Sequence, residues 1–165
     1  MCSFRSSSDT WAQHNQSRLI IYISDHINAK RILSQNNDLP SATFEIGLGR
    51  EKKTLVNFYY REWTSGITGD KTKEGQSKRL ERQIRHWQSL SDSNRDLIYL
   101  GDANLCAMSW HNDNFEHKDL ANQIIDFNLT EGHEQLCKQF TRIQKCGDRI
   151  NKSCLDHITV NSPNK

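Results

Sequence analysis

The spacing of hydrophobic positions changes along the chain, and each change marks a different predicted element. Five consecutive apolar side chains in residues 18–24, and alternating apolar and polar ones in residues 43–48, predict two strands. Residues 54–60 predict a third strand that is apolar on both faces except at Asn57. The charged segment 49–53 between the last two strands is typical of a turn, so we expect an antiparallel hairpin.

The period becomes helical near residue 74. Apolar side chains recur three or four positions apart at Leu80, Ile84, Trp87 and Leu90, which predicts a helix over residues 74–92. Arginine and lysine side chains lie between these positions. They form either an ordinary solvated helix face or a basic stripe for nucleic acid.

A second helix is predicted over residues 116–127, because Leu120 and Ile124 lie one turn apart. Asp113 and Glu116 have the spacing of a capping box at its beginning. We expect this helix to bury Leu120, Ile124 and either Ala121 or Phe127.

Two short strands complete the pattern, at residues 97–100 and 155–160. The order strand, hairpin, helix, strand, helix, strand is typical of the α+β or mixed α/β class, in which sheets pack with helices outside. Residues 1–17 are polar and serine-rich and are expected to form an irregular N-terminal segment. Residues 18–165 form the predicted domain.

The composition is typical of a soluble protein with a modest core. The 165 residues suffice for one domain, and 35% are hydrophobic and 25% charged. No apolar run approaches the ~20 residues needed to span a bilayer, and the N-terminus has no signal-peptide pattern, so no membrane partner is expected. The formal net charge of +2 is too small to indicate nucleic acid by itself.

Five cysteines are scattered through the chain, at positions 2, 106, 137, 146 and 154. An odd number without a C-x-x-C pair is not the pattern of a disulfide framework or of a structural zinc site. We therefore expect a reducing, intracellular compartment, either cytoplasmic or nuclear.

Candidate chemistry begins where the predicted strand 97–100 ends. Gly101 lets the chain turn, and Asp102 and Asn104 follow it. The end of a central strand in an α/β domain is a common place to present such groups to a ligand. A carboxylate can take a proton from water, and a carboxamide can donate to a phosphate oxygen. The alternative interpretation is a strand followed by an Asx turn.

Further motifs stand in a fixed order around this one. They are Tyr59-Tyr60-Arg61, Gly101-Asp102-Ala103-Asn104, Trp110, and Ser153-Cys154-Leu155-Asp156-His157. This series resembles the endonuclease/exonuclease/phosphatase superfamily, and within it the exonuclease III-like endonuclease domain of non-LTR retrotransposons. The resemblance covers most of the chain, from about residue 18 to residue 163.

The resemblance implies a fold, an activity and partners. The fold is a four-layer α/β sandwich with two packed sheets and helices outside. The activity is metal-dependent cleavage of a DNA phosphodiester bond with Mg²⁺ or Mn²⁺. A reverse transcriptase domain accompanies the endonuclease in a full-length ancestor of this kind.

The resemblance also implies a role for each motif residue. Asp102 activates or positions the attacking water and contacts the metal, and Asn104 holds the phosphate or that water. Tyr60 donates a hydrogen bond to the phosphate, and Asp156 orients a catalytic histidine. These roles suit the chemistry, because a phosphodiester is anionic and its developing charge must be neutralised by a cation or by hydrogen-bond donors.

Three further residues are candidate nucleic-acid contacts, each with an alternative. Arg61 either meets a phosphate or is an exposed strand-end cation. Trp110 either contacts DNA or belongs to the core. His157 occupies a position where relatives carry Tyr or His, and it either contacts DNA or packs in the interior.

Two family motifs are missing. The family binds its metal through a Glu on an early strand, but residues 1–17 contain no Glu, and we assign Asp9 to a later loop. The family closes with Ser-Asp-His, whose His is catalytic, and no such motif follows Asp156. We therefore expect a domain that is incomplete at both ends, has little or no nuclease activity, and exposes a sheet edge or an apolar face.

Two alternative functions remain open from the sequence. One is a small-molecule phosphoesterase of the same superfamily, which the Trp and the Ser-x-Leu-Asp-His form disfavour. The other is a non-catalytic remnant that at most binds nucleic acid. In every case we expect Asp102 to lie at the end of a central strand, with Tyr60 and Asp156 nearby.

Overall fold

The computed structural model describes residues 19–33, 40–47, 53–61, 72–91, 95–109 and 117–161. Within them, two helices pack on one face of a six-stranded sheet, and two further strands form a separate hairpin. The strands are β1 (Ala29–Ile32), β2 (Ser41–Gly47), β3 (Lys53–Tyr60), β4 (Asp96–Asp102), β5 (Glu134–Gln135), β6 (Arg142–Cys146), β7 (Arg149–Ser153) and β8 (Asp156–Val160). The helices are α1 (Lys73–Ser91) and α2 (Lys118–Glu131), with a short 3₁₀ turn at Ala107–Ser109.

The sheet order is β1-β2-β3-β4-β8-β5, which places β4 in the middle. Strands β2 and β3 pair in antiparallel register, so the hairpin predicted from the sequence is confirmed. Strands β3 and β4 are parallel, as expected when a helix such as α1 connects them, and β4 and β8 are antiparallel. The prediction of a mixed α/β domain is confirmed.

The main core lies between the sheet and the two helices. Trp87 of α1 is its centre, with ring centroids 4.9 Å from both Tyr59 and Tyr99 and 5.6 Å from Phe127 of α2. Residues at alternate positions of β3 and β4 and at helical spacing on α1 and α2 complete the cluster: Leu55, Leu80, Leu90, Leu97, Leu120, Ala121 and Ile124. The periods of two and of 3.6 read from the sequence thus meet in one core.

Asn57, the polar exception in β3, is fully buried at the edge of this core. Its Oδ1 accepts the Trp87 indole N–H at 2.9 Å. Its Nδ2 donates to Thr43 Oγ1 at 2.9 Å and to Ser41 Oγ at 2.8 Å on β2. A buried amide is tolerated because its polar atoms have partners, and here it ties β2, β3 and α1 together.

The other face of the sheet is less covered. Phe44 and Phe58 pack edge to face there, with ring centroids 6.0 Å apart. Further along this face, across β4 and β8, the apolar side chains are partly exposed: Ile98, Leu100, Ile158 and Val160. The described residues contain one six-stranded sheet and one hairpin, and the second packed sheet of a four-layer sandwich is not among them.

One prediction about local structure is wrong. Residues 18–24 were expected to be a strand, but their described part holds only an isolated bridge at Ile23, and the first strand of the sheet is β1. Ile20 and Tyr22 are 68% and 73% exposed. An apolar run becomes a strand only when it has a pairing partner, and β1 rather than this run pairs with β2.

The hairpin β6–β7 was not predicted as two strands. Its two apolar side chains, Ile143 and Ile150, are 67% and 61% exposed, so the segment has no buried face to give it a hydrophobic alternation. Helix α2 begins at Lys118 and ends at Glu131, and Gly132 with a φ of 67° makes a left-handed cap after it. The proposed capping box at Asp113 and Glu116 lies outside the described residues.

Neither helix among the described residues combines the length and apolar character needed to cross a membrane.

Candidate functional site

Three of the predicted site residues lie side by side at one end of the sheet. Tyr60 is the last residue of β3 and pairs with Asp102, the last residue of β4. Asp102 pairs in turn with Asp156, the first residue of β8. Directly paired residues direct their side chains to the same face of a sheet. The predicted convergence of Tyr60, Asp102 and Asp156 at the end of a central strand is therefore confirmed.

The residue before Asp102 has to be small. Gly101 pairs with Tyr59, and its Cα faces the Tyr59 backbone closely on the helix side of the sheet. This contact lets β4 stay in register with β3 to its last residue, which sets Asp102 beside Tyr60. The prediction that Gly101 lets the chain turn is wrong, because β4 continues through it to Asp102, and the glycine has a steric function within the strand.

Asn104 is held by two hydrogen bonds immediately after β4. Its backbone N–H donates to Asp102 Oδ1 at 2.8 Å, and its side-chain Nδ2 donates to the Arg61 carbonyl at 2.6 Å. Its φ of 48° is in the left-handed region, where Asn is better tolerated than most residues. The Asx turn considered from the sequence is present. A carboxamide has two N–H donors and an acceptor oxygen, and the Arg61 contact uses one donor.

Arg61 follows β3 and is buried, with 9% of its surface exposed. Its Nη1 donates to the Ala103 carbonyl at 3.0 Å and its Nη2 to Gln76 Oε1 at 3.1 Å. Burial, together with the nearby Arg79 charge, lowers the pKa of Arg61 to about 10. The alternative of an ordinary exposed cation is wrong. Arg61 braces the loop that carries Asp102 and Asn104, and its contact with a phosphate stays a prediction.

The electrostatics of the site centre on Asp102. Burial of its carboxyl raises its pKa, and the neighbouring Asp156 raises it further. The Asn104 N–H, Arg142 and Arg61 act in the opposite direction. Asp102 and Asp156 are paired neighbours at this strand end, so their negative charges repel each other. A bound cation would relieve this repulsion.

Asp156 is exposed, and the chain before it is held by Thr141. Thr141 Oγ1 accepts the backbone N–H groups of Leu155 at 3.0 Å and Asp156 at 3.1 Å. The Thr141 N–H donates to the Ser153 carbonyl at 2.9 Å. The base of the β6–β7 hairpin is thus fastened at the site, and Arg142, the first residue of β6, is close enough to lower the pKa of Asp102.

The remaining candidates differ in position. His157 alternates to the other face of β8, where it is 2% exposed and its Nε2 lies 2.8 Å from the Leu105 carbonyl. Burial lowers its pKa. This environment is the one that the packing interpretation predicts for His157. Trp110 lies outside the described residues.

The hairpin is a feature that sequence reasoning missed. It carries four exposed cations, of which Arg142 at its base acts on the Asp102 carboxyl: Arg142, Lys145, Arg149 and Lys152. Its turn is Gly147-Asp148, with Gly147 at a φ of 61°. A Gly-Asp pair between two short runs containing isoleucine is a known hairpin pattern and could have indicated it.

Among the described residues, few side chains at the site could bind a metal ion. In the parts of the chain that the structure describes, no group of three or more His, Cys, Asp or Glu side chains is arranged to hold an ion. Asp102 and Asp156 supply two carboxylates. Mg²⁺ is often bound through one or two carboxylates, with water and substrate phosphate completing its shell. The pair fits that sparse mode of binding and no richer one.

No protein-family model and no curated protein matches the chain. Among solved structures it is similar to the endonuclease domain of TRAS1, a telomere-specific non-LTR retrotransposon, with a TM-score of 0.54 and 20% sequence identity. The match covers 84% of this chain and 57% of that domain, so the chain spans little more than half of the neighbour. The resemblance read from the motifs is confirmed at the level of the fold.

Proposed function

We propose that this chain binds DNA and that the strand ends carrying Tyr60, Asp102 and Asp156 form a metal-dependent site for phosphodiester hydrolysis, with little or no turnover by the chain as it stands. The observation that carries the proposal is the register of β3, β4 and β8, which sets these three side chains in one row. The three motifs lie more than 40 residues apart in the sequence, so local turn geometry does not explain why they meet. The likeness in fold to a retrotransposon endonuclease domain supports it.

Each residue of the row has a chemical task in this proposal. Asp102 accepts a hydrogen bond or a proton from the attacking water. Tyr60 donates its phenolic O–H to a phosphate oxygen without adding charge. Asn104, fixed by its bond to the Arg61 carbonyl, offers its second N–H to the same phosphate.

A divalent cation, Mg²⁺ or Mn²⁺, would be held by Asp102 and Asp156 and would supply neutralisation of the phosphate charge. Two carboxylates bind such an ion loosely until a phosphate adds its own oxygens. This is the reason for the low turnover in the proposal. Loss of one essential group from a catalytic unit commonly costs orders of magnitude in rate.

The β6–β7 hairpin is the proposed DNA-binding surface. All of its residues except Ser153 are exposed, and its cations outnumber its single acidic residue, Asp148. Non-specific affinity for DNA comes mainly from neutralised phosphates, so a local cluster matters more than the net charge of the chain. Helix α1 is a weaker candidate, because Lys78 is paired with Glu74 and Lys73 with Asp119.

DNA binding without catalysis is the second candidate function. It is favoured by the same exposed basic hairpin and by the sparse set of carboxylates in the described residues. The two candidates share the binding step and differ only in whether the row of site residues cleaves the bound strand.

The binding step is tested by fluorescence anisotropy with labelled duplex DNA over a salt series. The double variant Lys145→Gln/Arg149→Gln is expected to lower affinity and reduce the slope of log K against log salt by roughly 2, about one for each lost phosphate contact. The matched control is Lys78→Gln/Arg85→Gln on α1. Equal losses in both variants, or a loss in the α1 variant alone, would refute the hairpin as the binding surface.

Catalysis is tested with supercoiled plasmid, Mn²⁺ and a large excess of protein over long incubation. Slow nicking by the parent chain that disappears in Asp102→Asn and persists in Asp126→Asn is the expected result for a hydrolytic site. Asp126 is an exposed carboxylate on α2, away from the row. Binding without any Asp102-dependent nicking would leave the second candidate as the function. Rapid nicking would contradict the low turnover.

A further inference from the structure

Three of the cysteines that are scattered in sequence meet beside the base of the hairpin. The Cys154 Sγ lies 3.7 Å from the Cys137 Sγ and donates to the Cys137 carbonyl at 3.5 Å. The Cys154 backbone N–H points at the Cys106 Sγ, 3.3 Å away. A disulfide bond requires a sulfur–sulfur distance of about 2.05 Å, so the Cys137 and Cys154 sulfurs need to approach by less than about 2 Å.

We propose that Cys137 and Cys154 are a redox-active dithiol that closes to a disulfide under oxidising conditions and thereby staples the base of the β6–β7 hairpin. The hairpin lies entirely between these two residues in the sequence, so their bond closes a loop that contains it. The inference does not depend on the proposed nuclease function.

Glutathione disulfide is the proposed oxidant of the two thiols. The Cys137 thiolate attacks one sulfur of glutathione disulfide, which forms a mixed disulfide and releases one glutathione. Cys154 then loses its proton and attacks the Cys137 sulfur, which releases the second glutathione. Two protein thiols are oxidised and one glutathione disulfide is reduced to two molecules of glutathione.

The environments of the two thiols set this order. Cys137 is partly exposed, so a solute can reach it, whereas Cys154 is fully buried. A thiol that an external disulfide cannot reach is a poor first nucleophile toward it. It is well placed for the second, intramolecular step because its partner is already in contact.

Formation of the Cys137–Cys154 disulfide would constrain the start of β8. Cys154 stands two residues before Asp156, and its Sγ lies 3.7 Å from the Asp156 carbonyl. In the reduced chain, the segment after Cys137 is attached to this strand start through the hydrogen bonds of Thr141. A disulfide would replace a few hydrogen bonds with a covalent link and would fix the hairpin relative to Asp156.

The pairing is tested on the full reduced chain equilibrated in glutathione buffers of increasing oxidation, quenched by alkylation and mapped by mass spectrometry. The expected product is an intramolecular Cys137–Cys154 linkage with a loss of two titratable thiols. Cys137→Ser is expected to abolish that linkage, and Cys146→Ser, which removes an exposed thiol on the same hairpin, to leave it intact. The same oxidation in concentrated urea is expected to scatter the pairing, because the folded structure selects the partners.

Stability provides an independent readout. Closing the loop is expected to raise the midpoint of thermal unfolding by on the order of 5 °C relative to the reduced chain, and Cys137→Ser is expected to lose this difference while matching the reduced parent. A dominant Cys106–Cys154 linkage, glutathione adducts without an internal bond, or a linkage that survives in urea at the same yield would each overturn the proposal.

Discussion

Tyr59 and Gly101 approach each other so closely across the parallel strands β3 and β4 that a Cβ on Gly101 would lie 1.9 Å from the Tyr59 carbonyl oxygen. Such a contact cannot be relieved by rotating a flexible side chain, because the obstructing atom belongs to the backbone. We expect Gly101→Ala to destabilise the fold by about 3 kcal/mol, the upper range for overpacking. Chemical denaturation monitored by tryptophan fluorescence measures this change.

Gly132→Ala is the control for the Gly101 experiment. No heavy atom lies within 4 Å of a Cβ built on Gly132, but its φ is 67°. The expected cost is about 1 kcal/mol, from the left-handed backbone alone. Equal losses at both positions would show that the close approach at Tyr59 is not the reason for the glycine at position 101.

Asp102→Asn is expected to make the protein more stable at neutral pH. The pKa of Asp102 is raised in the folded state by burial and by Asp156, so its ionised form is disfavoured there relative to the unfolded chain. The native carboxyl therefore opposes folding increasingly as pH rises from 3.8, the ordinary value, through the raised native value. Because the group is half exposed, we expect a gain of only about 0.5 kcal/mol at pH 7.

The pH dependence of that gain checks its cause. Well below pH 3.8 the carboxyl is protonated in both states, so parent and Asp102→Asn should have the same free energy of unfolding. A gain that is independent of pH would assign the effect to packing instead of charge.

Added Mn²⁺ should stabilise the parent and leave the variant unchanged, since the variant lacks one of two carboxylates.

Arg61→Ala is expected to lower stability by about 2–3 kcal/mol, because it removes a buried guanidinium whose bonds to Ala103 and Gln76 leave polar partners behind. The exposed helix cation Arg85 is the matched control, and Arg85→Ala should change stability by less than about 0.5 kcal/mol. Unfolding in urea gives both values. Unchanged stability of Arg61→Ala with weaker DNA binding would favour the phosphate contact for Arg61.

Ile158→Thr is expected to reduce self-association. Ile158 is 41% exposed on the sheet face away from the helices, beside other partly covered apolar side chains of β4 and β8. Contiguous exposed apolar surface promotes association. Light scattering over a concentration series should show a higher onset concentration for this variant. The hairpin variant Ile143→Thr should have little effect. A parent chain that stays monomeric at all micromolar concentrations would contradict the prediction.

The sequence alone determined the elements whose hydrophobic side is buried. Strands β2, β3, β4 and β8 and helix α1 appear where alternation or helical spacing predicts them, because burial of that side imposes the period. It also located the polar residues that end β3 and β4 and begin β8. Where burial does not impose a period, as in the exposed hairpin or the apolar run before β1, sequence reasoning failed.

Tertiary structure alone decided which of these residues meet and what each environment does. Tyr60 and Asp102 are neighbours because β3 and β4 pair in parallel, and that register depends on Gly101 and on packing against α1. Arg61 and His157 are polar and stand beside site motifs, but both are buried. Arg61 supports the loop after β4 through its hydrogen bonds, and His157 packs in the interior. Cys137 and Cys154 come into contact for the same reason: strand pairing joins positions that local pattern cannot relate.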